Sequence, residues 1–307
     1  VLYGFKHFYP GIRVVGVVFN FVASVAHYAY LQQACADAGV EALGYIPKDE
    51  SIVIPSRHLG LSIDETFCFD TFADRVAEVI DKTVNVDRLL ELCTVEFSGE
   101  QTEDVVCFGN RKIAIARDEA FNFMYRENVE ALKRAGEVVF FSPLRDKSLP
   151  EADMVYFPGG YPELHLAELA ANEGMRQSVR KYCENGGRVL AECGGMMYLC
   201  DTITDGDGKV YPMAGVLKQG ATMEQMKLKL GYREVRVNGQ RIRGHEFHYS
   251  RILPTNEKIP VIGTIYNAKD MVVDTPVYTY KNVLASYIHF YWGECGIDHF
   301  LMLMSQK

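Results

Sequence analysis

Apolar runs alternate with helical patterns in the first third of the chain. The β-branched run at 12–20 predicts a strand buried on both faces of a parallel sheet. The spacing of apolar residues over 24–38 predicts a helix that Gly39 ends, and 41–46 predicts a second strand. Such a unit joins two parallel strands through a right-handed connection. A loop is predicted next, and two helices follow it: 51–61 for the loop, then 71–84 and 87–93.

A second series begins after a polar stretch. It predicts strands at 111–117, 138–141 and 154–157, a helix over 121–135 and a further strand that runs into Cys193. Two more helices and a set of short strands complete the pattern: 164–172 and 174–185, then 210–217, 228–237, 244–251, 260–266 and 283–288. The predicted fold class is α/β, a doubly wound domain with an added antiparallel part, preceded by a partial parallel sheet.

The polar stretch at 95–110 has no apolar periodicity and predicts a linker. We therefore expect one domain over 1–94 and another over 111–307.

Composition narrows the function classes. The 307 residues carry a formal net charge of −8, which argues against nucleic acid or an anionic membrane as the main partner. No apolar run reaches the length of a membrane-spanning helix. The 8 cysteines form no Cys-x-x-Cys pair, which indicates free thiols in a reducing compartment and predicts a cytoplasmic protein.

Cys193 stands where a predicted strand meets a predicted helix and is followed by Gly194 and Gly195. Two glycines permit a tight turn and a close approach of substrate to backbone N–H groups. A cysteine at such a turn favours a nucleophilic thiolate, and the N–H of Gly194 would donate to an oxyanion. The competing interpretation is a buried structural cysteine.

A second strand ends at Gly159 and Gly160, so Gly160 would present another N–H to the same oxyanion. A plain strand–helix turn explains that segment equally well. Among the 8 histidines, His289 follows a predicted strand and would lie at the rim of the sheet. His245 and His248 are three residues apart, which places them on opposite faces of a strand, and no third ligand marks a metal site there. No metal site is predicted.

Seven segments together resemble the cobyrinic acid a,c-diamide synthase family, a class I glutamine amidotransferase fused to a dethiobiotin-synthetase-like ATP domain. They are 55–61 (PSRHLGL), 115–125 (IARDEAFNFMY), 155–163 (VYFPGGYPE), 191–199 (AECGGMMYL), 230–233 (LGYR), 244–250 (GHEFHYS) and 285–289 (ASYIH). The resemblance covers residues 2 to 300, and several of these segments are specific to the family.

The resemblance implies a glutaminase domain over 111–307 that hydrolyses glutamine with Cys193 as nucleophile and His289 as base. It implies that 1–94 is the back part of the ATP domain, in which ATP and Mg²⁺ activate the a and c carboxylates of a corrinoid polycarboxylate so that ammonia displaces phosphate. Glutamine hydrolysis itself would need no cofactor. Asn20 matches the residue that contacts adenine in that family, although an asparagine also caps a strand end.

The chain departs from the family pattern at two places. Related glutaminases carry a glutamate two residues after the histidine; Tyr291 stands there, which implies a Cys–His dyad or a histidine oriented by some other group. No Gly-x-x-x-x-Gly-Lys-Ser/Thr segment for phosphate is present, and Val1 corresponds to a point well inside the family's first domain. We expect an exposed sheet edge near 12–19, which a missing N-terminal segment or a partner chain carrying the P-loop would cover.

Three functions are compatible with this sequence. The first is glutamine-dependent, ATP-dependent amidation of cobyrinic acid in cobalamin biosynthesis, with this chain supplying ammonia. The second is the same chemistry on hydrogenobyrinic acid or Ni-sirohydrochlorin, since glutaminase motifs do not discriminate among tetrapyrroles. The third is a non-catalytic subunit of such a ligase, against which the presence of both Cys193 and His289 argues.

Overall fold

The computed structural model describes residues 1–54, 67–96, 111–255 and 258–293, with the backbone of 56–57 and 60–61. The chain divides into two compact units, Val1–Gln101 and Thr102–Lys307. Most of the predicted linker and part of the 55–61 segment lie outside the described residues.

In its described residues, the first unit combines four helices with two pairs of strands. Its elements are α1 (Leu2–Phe8), β1 (Gly16–Val22), α2 (Val25–Ala38), β2 (Glu41–Pro47), β3 (Ser56–Arg57), β4 (Gly60–Leu61), α3 (Phe69–Thr83) and α4 (Val86–Cys93), with a 3-10 turn at Glu50–Ile52. β1 and β2 are parallel and joined through α2, as predicted.

Local chemistry explains the ends of α2. The Ser24 hydroxyl accepts a hydrogen bond from the His27 N–H at its start, and Gly39 closes it in the left-handed region at φ +65°. β1 differs from its prediction, since it begins at Gly16 and leaves Val18 and Phe21 exposed. These exposed side chains show that β1 is not buried on both faces. Within the described residues β2 is its one partner strand.

In the described residues, the second unit contains a larger α/β core with one mixed and one antiparallel sheet added to it. Its elements are β5 (Arg111–Ala116), α5 (Arg126–Ala135), β6 (Gly136–Phe141), β7 (Met154–Phe157), α6 (Leu166–Ala171), α7 (Glu173–Glu184), β8 (Arg188–Glu192), α8 (Gly194–Leu199), β9 (Cys200–Thr204), β10 (Val210–Pro212), β11 (Leu217–Thr222), β12 (Lys229–Val237), β13 (Gln240–His248), β14 (Arg251–Ile252), β15 (Thr264–Asn267), β16 (Val277–Tyr280), β17 (Val283–Ser286) and β18 (Ile288–Tyr291), with a 3-10 turn at Pro162–Leu164.

The central sheet has the order β16-β17-β8-β7-β5-β6, in which every pair is parallel except β16 with β17. Both faces are buried. On one face α6, α7 and α8 contribute to the larger apolar core, and on the other α5 packs with residues of β12, β13 and β15. The predicted α/β class with parallel sheets is therefore confirmed.

Two smaller sheets flank this core, with the orders β10-β9-β11-β14 and β15-β12-β13-β18. In the second, all three pairs are antiparallel. Each described helix is too short or too polar to span a lipid bilayer.

The helix predicted over 121–135 begins only at Arg126. The carboxylate of Asp118 accepts hydrogen bonds from the N–H groups of Ala120 and Phe121, which folds the preceding segment into a turn. The Phe123 N–H then donates to the Gly159 carbonyl. Residues 118–125 therefore pack against the turn after β7 rather than forming a helix.

The strand predicted over 283–288 is two strands. β17 ends at Ser286, whose hydroxyl donates to the Pro276 carbonyl and accepts from the Ile288 N–H. The chain bends there and continues as β18 in a different sheet. His289 is consequently the second residue of β18 rather than the residue that ends a strand.

Candidate active site

Cys193 occupies a strained turn between β8 and α8. Its backbone has φ +46° and ψ −107°, a conformation that costs a non-glycine residue about 1–3 kcal/mol. Its N–H donates to the Ser286 carbonyl at 2.7 Å, and its side chain lies in the core with 6% of the residue exposed. The strained conformation is thus held by a hydrogen bond that Cys193 donates to the neighbouring strand.

The two glycines after Cys193 are required by close packing. A Cβ on Gly194 would lie 2.7 Å from Cδ of Pro162, and a Cβ on Gly195 would lie 2.3 Å from the carbonyl oxygen of Phe157. The Gly195 N–H donates to the Pro158 carbonyl at 3.1 Å. The turn after β8 therefore fits directly against the turn after β7.

Gly160 lies in this second turn with φ +154°, and a Cβ there would lie 2.2 Å from the Ala120 carbonyl oxygen. The Gly160 carbonyl oxygen is 3.1 Å from the point where a Cβ of Gly194 would be. The structure thus brings the two residues predicted to bind the oxyanion into contact, because β7 and β8 are adjacent and Phe157 pairs with Ala191.

His289 packs against the same turn. A Cβ on Gly159 would lie 2.2 Å from Cε1 of the His289 ring. On the other side the ring stacks on His245 of β13, with centroids 4.8 Å apart and planes 13° apart. His289 is therefore brought to the glycine turn that contacts the Cys193 turn, although 96 positions separate His289 from Cys193 in the sequence.

Aromatic residues from the non-helical segment complete this wall. The Phe123 ring meets His289 edge to face at 4.6 Å, and the Tyr125 hydroxyl hydrogen bonds with Nδ1 of His245 at 2.6 Å. Prediction of a helix over 121–135 concealed both contacts.

Tyr291, two residues after His289, does not contribute a carboxylate that could orient the His289 ring. Tyr291 packs its ring against Tyr125 at 5.5 Å. Nδ1 of His289 is buried and has no hydrogen-bond partner among the described residues. The His289 ring is therefore oriented by packing against His245, Phe123 and Gly159, not by a carboxylate within the described part of the chain.

Glu192 and Asn128 are two buried polar residues that the sequence reasoning missed. The Glu192 carboxylate, 1% exposed, accepts from the Tyr156 hydroxyl at 2.8 Å and from the Phe290 N–H at 3.2 Å. The Asn128 amide donates to the Phe290 carbonyl at 2.7 Å. Together they hold the backbone of β18 in place at Phe290, the residue that follows His289. An acidic residue ending the apolar run before Cys193 was the available signal.

Burial controls the protonation of the two central groups. It raises the pKa of the Cys193 thiol well above its usual value, the nearby Glu163 carboxylate raises it further, and the Gly194 N–H lowers it. Burial, with His245 and His248 nearby, lowers the pKa of His289 to about 3. The resting pair is therefore a thiol and a neutral imidazole, whereas the isolated turn favoured a thiolate.

No hydrogen bond joins Cys193 to His289 in the described structure. Sγ of Cys193 instead lies 3.9 Å from the Phe247 carbonyl oxygen. The residues predicted as nucleophile, base and oxyanion donors are nevertheless grouped around two adjoining turns.

His248 belongs to a separate buried network on the opposite face of β13 from His245. Its Nε2 lies 2.8 Å from the Glu246 carboxylate, which also accepts from Arg233 and Thr275. Burial opposes ionisation of Glu246, but the hydrogen bonds with His248 and Thr275 and the nearby charge of Lys229 lower its pKa to about 2. In the described residues no group of three or more His, Cys, Asp or Glu side chains is arranged to hold a metal ion.

Asn20 lies in the first unit, inside β1 rather than at its end. Its side chain is exposed, and Oδ1 accepts a hydrogen bond from the Phe21 N–H at 2.9 Å. The pairing of β1 with β2 is irregular between Phe19 and Val22, so Asn20 stands at a bulge.

Comparison with known proteins identifies the same family that the sequence segments resemble. Residues 112–295 match the CobB/CobQ-like glutamine amidotransferase domain. Cobyrinate a,c-diamide synthase of Salmonella typhimurium is 35% identical over 306 residues, which cover 95% of this chain and 67% of that protein. Hydrogenobyrinate a,c-diamide synthase of Pseudomonas aeruginosa is 36% identical over 291 residues, 94% of this chain and 66% of that protein.

Among solved structures, a crystal structure of a glutamine amidotransferase is 24% identical, with a TM-score of 0.43. The alignment covers 63% of this chain and 99% of that one.

Proposed function

This chain belongs to the family of CobB/CobQ-like glutamine amidotransferases, and from that membership we propose that it releases ammonia from glutamine for the amidation of a corrinoid carboxylate. Cys193 is the nucleophile and His289 the base in this proposal. One observation carries it: the strained Cys193 turn and the His289 ring meet at the same pair of glycine turns.

The protonation states suit a proton transfer that accompanies attack. As Sγ of Cys193 bonds to the side-chain carbonyl carbon of glutamine, the neutral His289 imidazole takes the thiol proton. The N–H groups of Gly160 and Gly194 donate to the oxygen that gains negative charge.

Breakdown of the tetrahedral intermediate then breaks the carbon–nitrogen bond. His289 returns the proton to the leaving nitrogen, which departs as ammonia, and a thioester remains on Cys193. Water, deprotonated by the same imidazole, attacks the thioester and releases glutamate and the free thiol. This half-reaction consumes water and glutamine only.

The ammonia is proposed to react with the a and c carboxylates of cobyrinic acid in cobalamin biosynthesis. ATP, with Mg²⁺, would supply the phosphoryl group that activates each carboxylate. The described residues fit ATP in part: Asn20 offers an exposed amide for adenine, while the sequence holds no Gly-x-x-x-x-Gly-Lys-Ser/Thr segment for the phosphates. Residues 1–94 are proposed as the part of the amidation domain that this chain contributes.

Hydrogenobyrinic acid is the second candidate substrate. It is favoured by the relative of Pseudomonas aeruginosa, which is as similar to this chain as the cobyrinate enzymes are. A cytoplasmic location is proposed from the free cysteines, of which six lie in the described residues.

Replacement of the nucleophile tests the glutaminase. We expect Cys193→Ser to lower ammonia release from glutamine by at least about 10³-fold, since the hydroxyl has no base strong enough to activate it. The variant should also resist covalent labelling by a diazoketone analogue of glutamine, followed by mass spectrometry.

Cys183→Ala is the matched control, because Cys183 is another buried free cysteine of the same core. It should keep both ammonia release and labelling. Ammonia release or labelling that persists in Cys193→Ser would overturn the assignment.

A further inference from the structure

Glu163 is an acidic residue beside the proposed nucleophile that the glutaminase chemistry above does not use. It lies in the 3-10 turn Pro162–Leu164, directly after the residue whose ring packs against Gly194. After burial, its carboxylate is the largest influence that raises the pKa of the Cys193 thiol.

The other acidic side chains around this site have partners. Glu119 pairs with Arg145, Glu192 accepts from Tyr156 and Phe290, and Glu246 binds Arg233, His248 and Thr275. Glu163 accepts only from its own backbone N–H among the described residues.

A partly buried carboxylate without a cation is costly, and burial raises the pKa of Glu163 to about 7. A ligand that brings a cation to this point would remove the cost. Glutamine carries one: when its side-chain amide meets Sγ, the α-ammonium group lies at the other end of the same short chain.

We propose that the Glu163 carboxylate binds the α-ammonium group of glutamine and, once neutralised there, stops opposing the negative charge that develops on Cys193. This assignment rests on the proposed glutaminase function and names its substrate contact. Before glutamine binds, the carboxylate disfavours the thiolate. After binding, the ion pair with the α-ammonium group screens the charge of the Glu163 carboxylate. The thiol is therefore activated when the substrate is in place.

The test compares glutamine with glutaramate, which has the same amide and carboxylate but no α-amino group. Glu163→Gln should lower kcat/KM for glutamine by roughly 10- to 100-fold, mainly through KM, because a charge-assisted hydrogen bond is lost. Hydrolysis of glutaramate should not fall and should rise with the reactivity of the thiol, because that substrate makes no such bond and leaves the repelling carboxylate unscreened in the unaltered protein. Glu163→Asp, which keeps the charge, should recover part of the preference for glutamine.

A second readout follows the thiol directly. Iodoacetamide, a neutral reagent, should alkylate Cys193 faster in Glu163→Gln than in the unaltered protein at the same pH, since the repelling carboxylate is gone. Peptide mass spectrometry separates Cys193 from the other cysteines. Glu168→Gln removes an exposed glutamate from α6 and should change neither readout.

Two results would overturn the proposal. Equal losses with glutamine and glutaramate would make Glu163 a proton donor or a structural residue. An unchanged preference for glutamine would remove it from the substrate site. Either result, with ammonia release intact in the unaltered protein and lost in Cys193→Ser, leaves the glutaminase assignment standing.

Discussion

Two residues of this chain, one at a bulge inside a strand and one at a turn, share a positive φ and differ in their surroundings. Phe21, after Asn20 in β1, has φ +57°, and Cys193, after β8, has φ +46°. Phe21 is 67% exposed on a strand with one partner in the described part of the chain. Cys193 is buried next to a strand with partners on both sides. Strain alone therefore does not distinguish a reactive site.

The neighbours of each residue make the difference. The glycine turn after β7 and the 3-10 turn Pro162–Leu164 pack against the Cys193 turn, and the glycine turn also contacts the His289 ring. At the bulge in β1, the Asn20 side chain accepts a hydrogen bond from the adjacent Phe21 N–H and is exposed to solvent. A buried turn is shaped by residues distant in sequence, whereas an exposed bulge keeps the character of its own segment.

After replacement of Cys193 itself, the largest effect is expected from disturbing the contact between the glycine turn and His289. The Cβ of Gly159→Ala would overlap the His289 ring, which must move. Because a displacement of about 1 Å costs roughly 10²-fold in rate, we expect ammonia release to fall by that factor or more. Steady-state kinetics measures it, with a thermal melt to confirm folding.

Gly206→Ala is the control for that change. Gly206 lies in a turn of the same unit with open space where a Cβ would be, so its variant should keep full activity. Full activity in Gly159→Ala would show that His289 does not need its observed position.

A medium effect is expected from the charge of Glu192. Burial raises the pKa of this carboxyl from 4.5 to about 8. Between these values the folded protein holds a proton that the unfolded chain has lost, so this group's contribution to stability falls as pH rises. The slope is about 1.4 kcal/mol per pH unit.

Glu192→Gln has no such titration but keeps a side-chain carbonyl to accept from Phe290. Urea unfolding from pH 5 to pH 8 should therefore show the variant gaining stability relative to the unaltered protein as pH rises. Glu168→Gln, at an exposed position, should show no such trend. Parallel curves for Glu192→Gln would contradict a buried, protonated Glu192.

The smallest effect on stability and activity is expected at the exposed bulge in β1. Asn20→Ala should change the free energy of unfolding by no more than about 0.5 kcal/mol and leave ammonia release unchanged. If Asn20 contacts adenine as proposed, ATP affinity measured by calorimetric titration falls up to about tenfold. A loss of ammonia release in this variant would contradict our expectation that glutamine hydrolysis does not depend on Asn20.

Regular elements were predictable where local signals agree. Ser24 and Gly39 marked both ends of α2, and the apolar runs located β5, β7 and β8. The helix over 121–135 was predicted too long, because Asp118 caps a turn and Phe123 bonds to Gly159. Periodicity does not register such a competing hydrogen bond.

The sequence pattern identified some residues of the candidate site and missed others. Cys193 and Gly194 stood out because glycines after a strand permit a tight turn, and His289 was selected by its place after an apolar run. Glu163 and Glu192 stood out less, since a glutamate in sequence is most often solvated. Their burial depends on which strands become neighbours in the sheet.

The amino-acid order already contained the local geometry: where β8 stops, why glycine must follow Cys193, and which family the chain belongs to. Only the tertiary structure decided that His289 packs on Gly159, that the turn containing Glu163 packs against Gly194 and that Cys193 rests protonated. The physical reason is that backbone preferences are set by adjacent residues. Proton affinity and side-chain contact are set by burial and by charges far away along the chain.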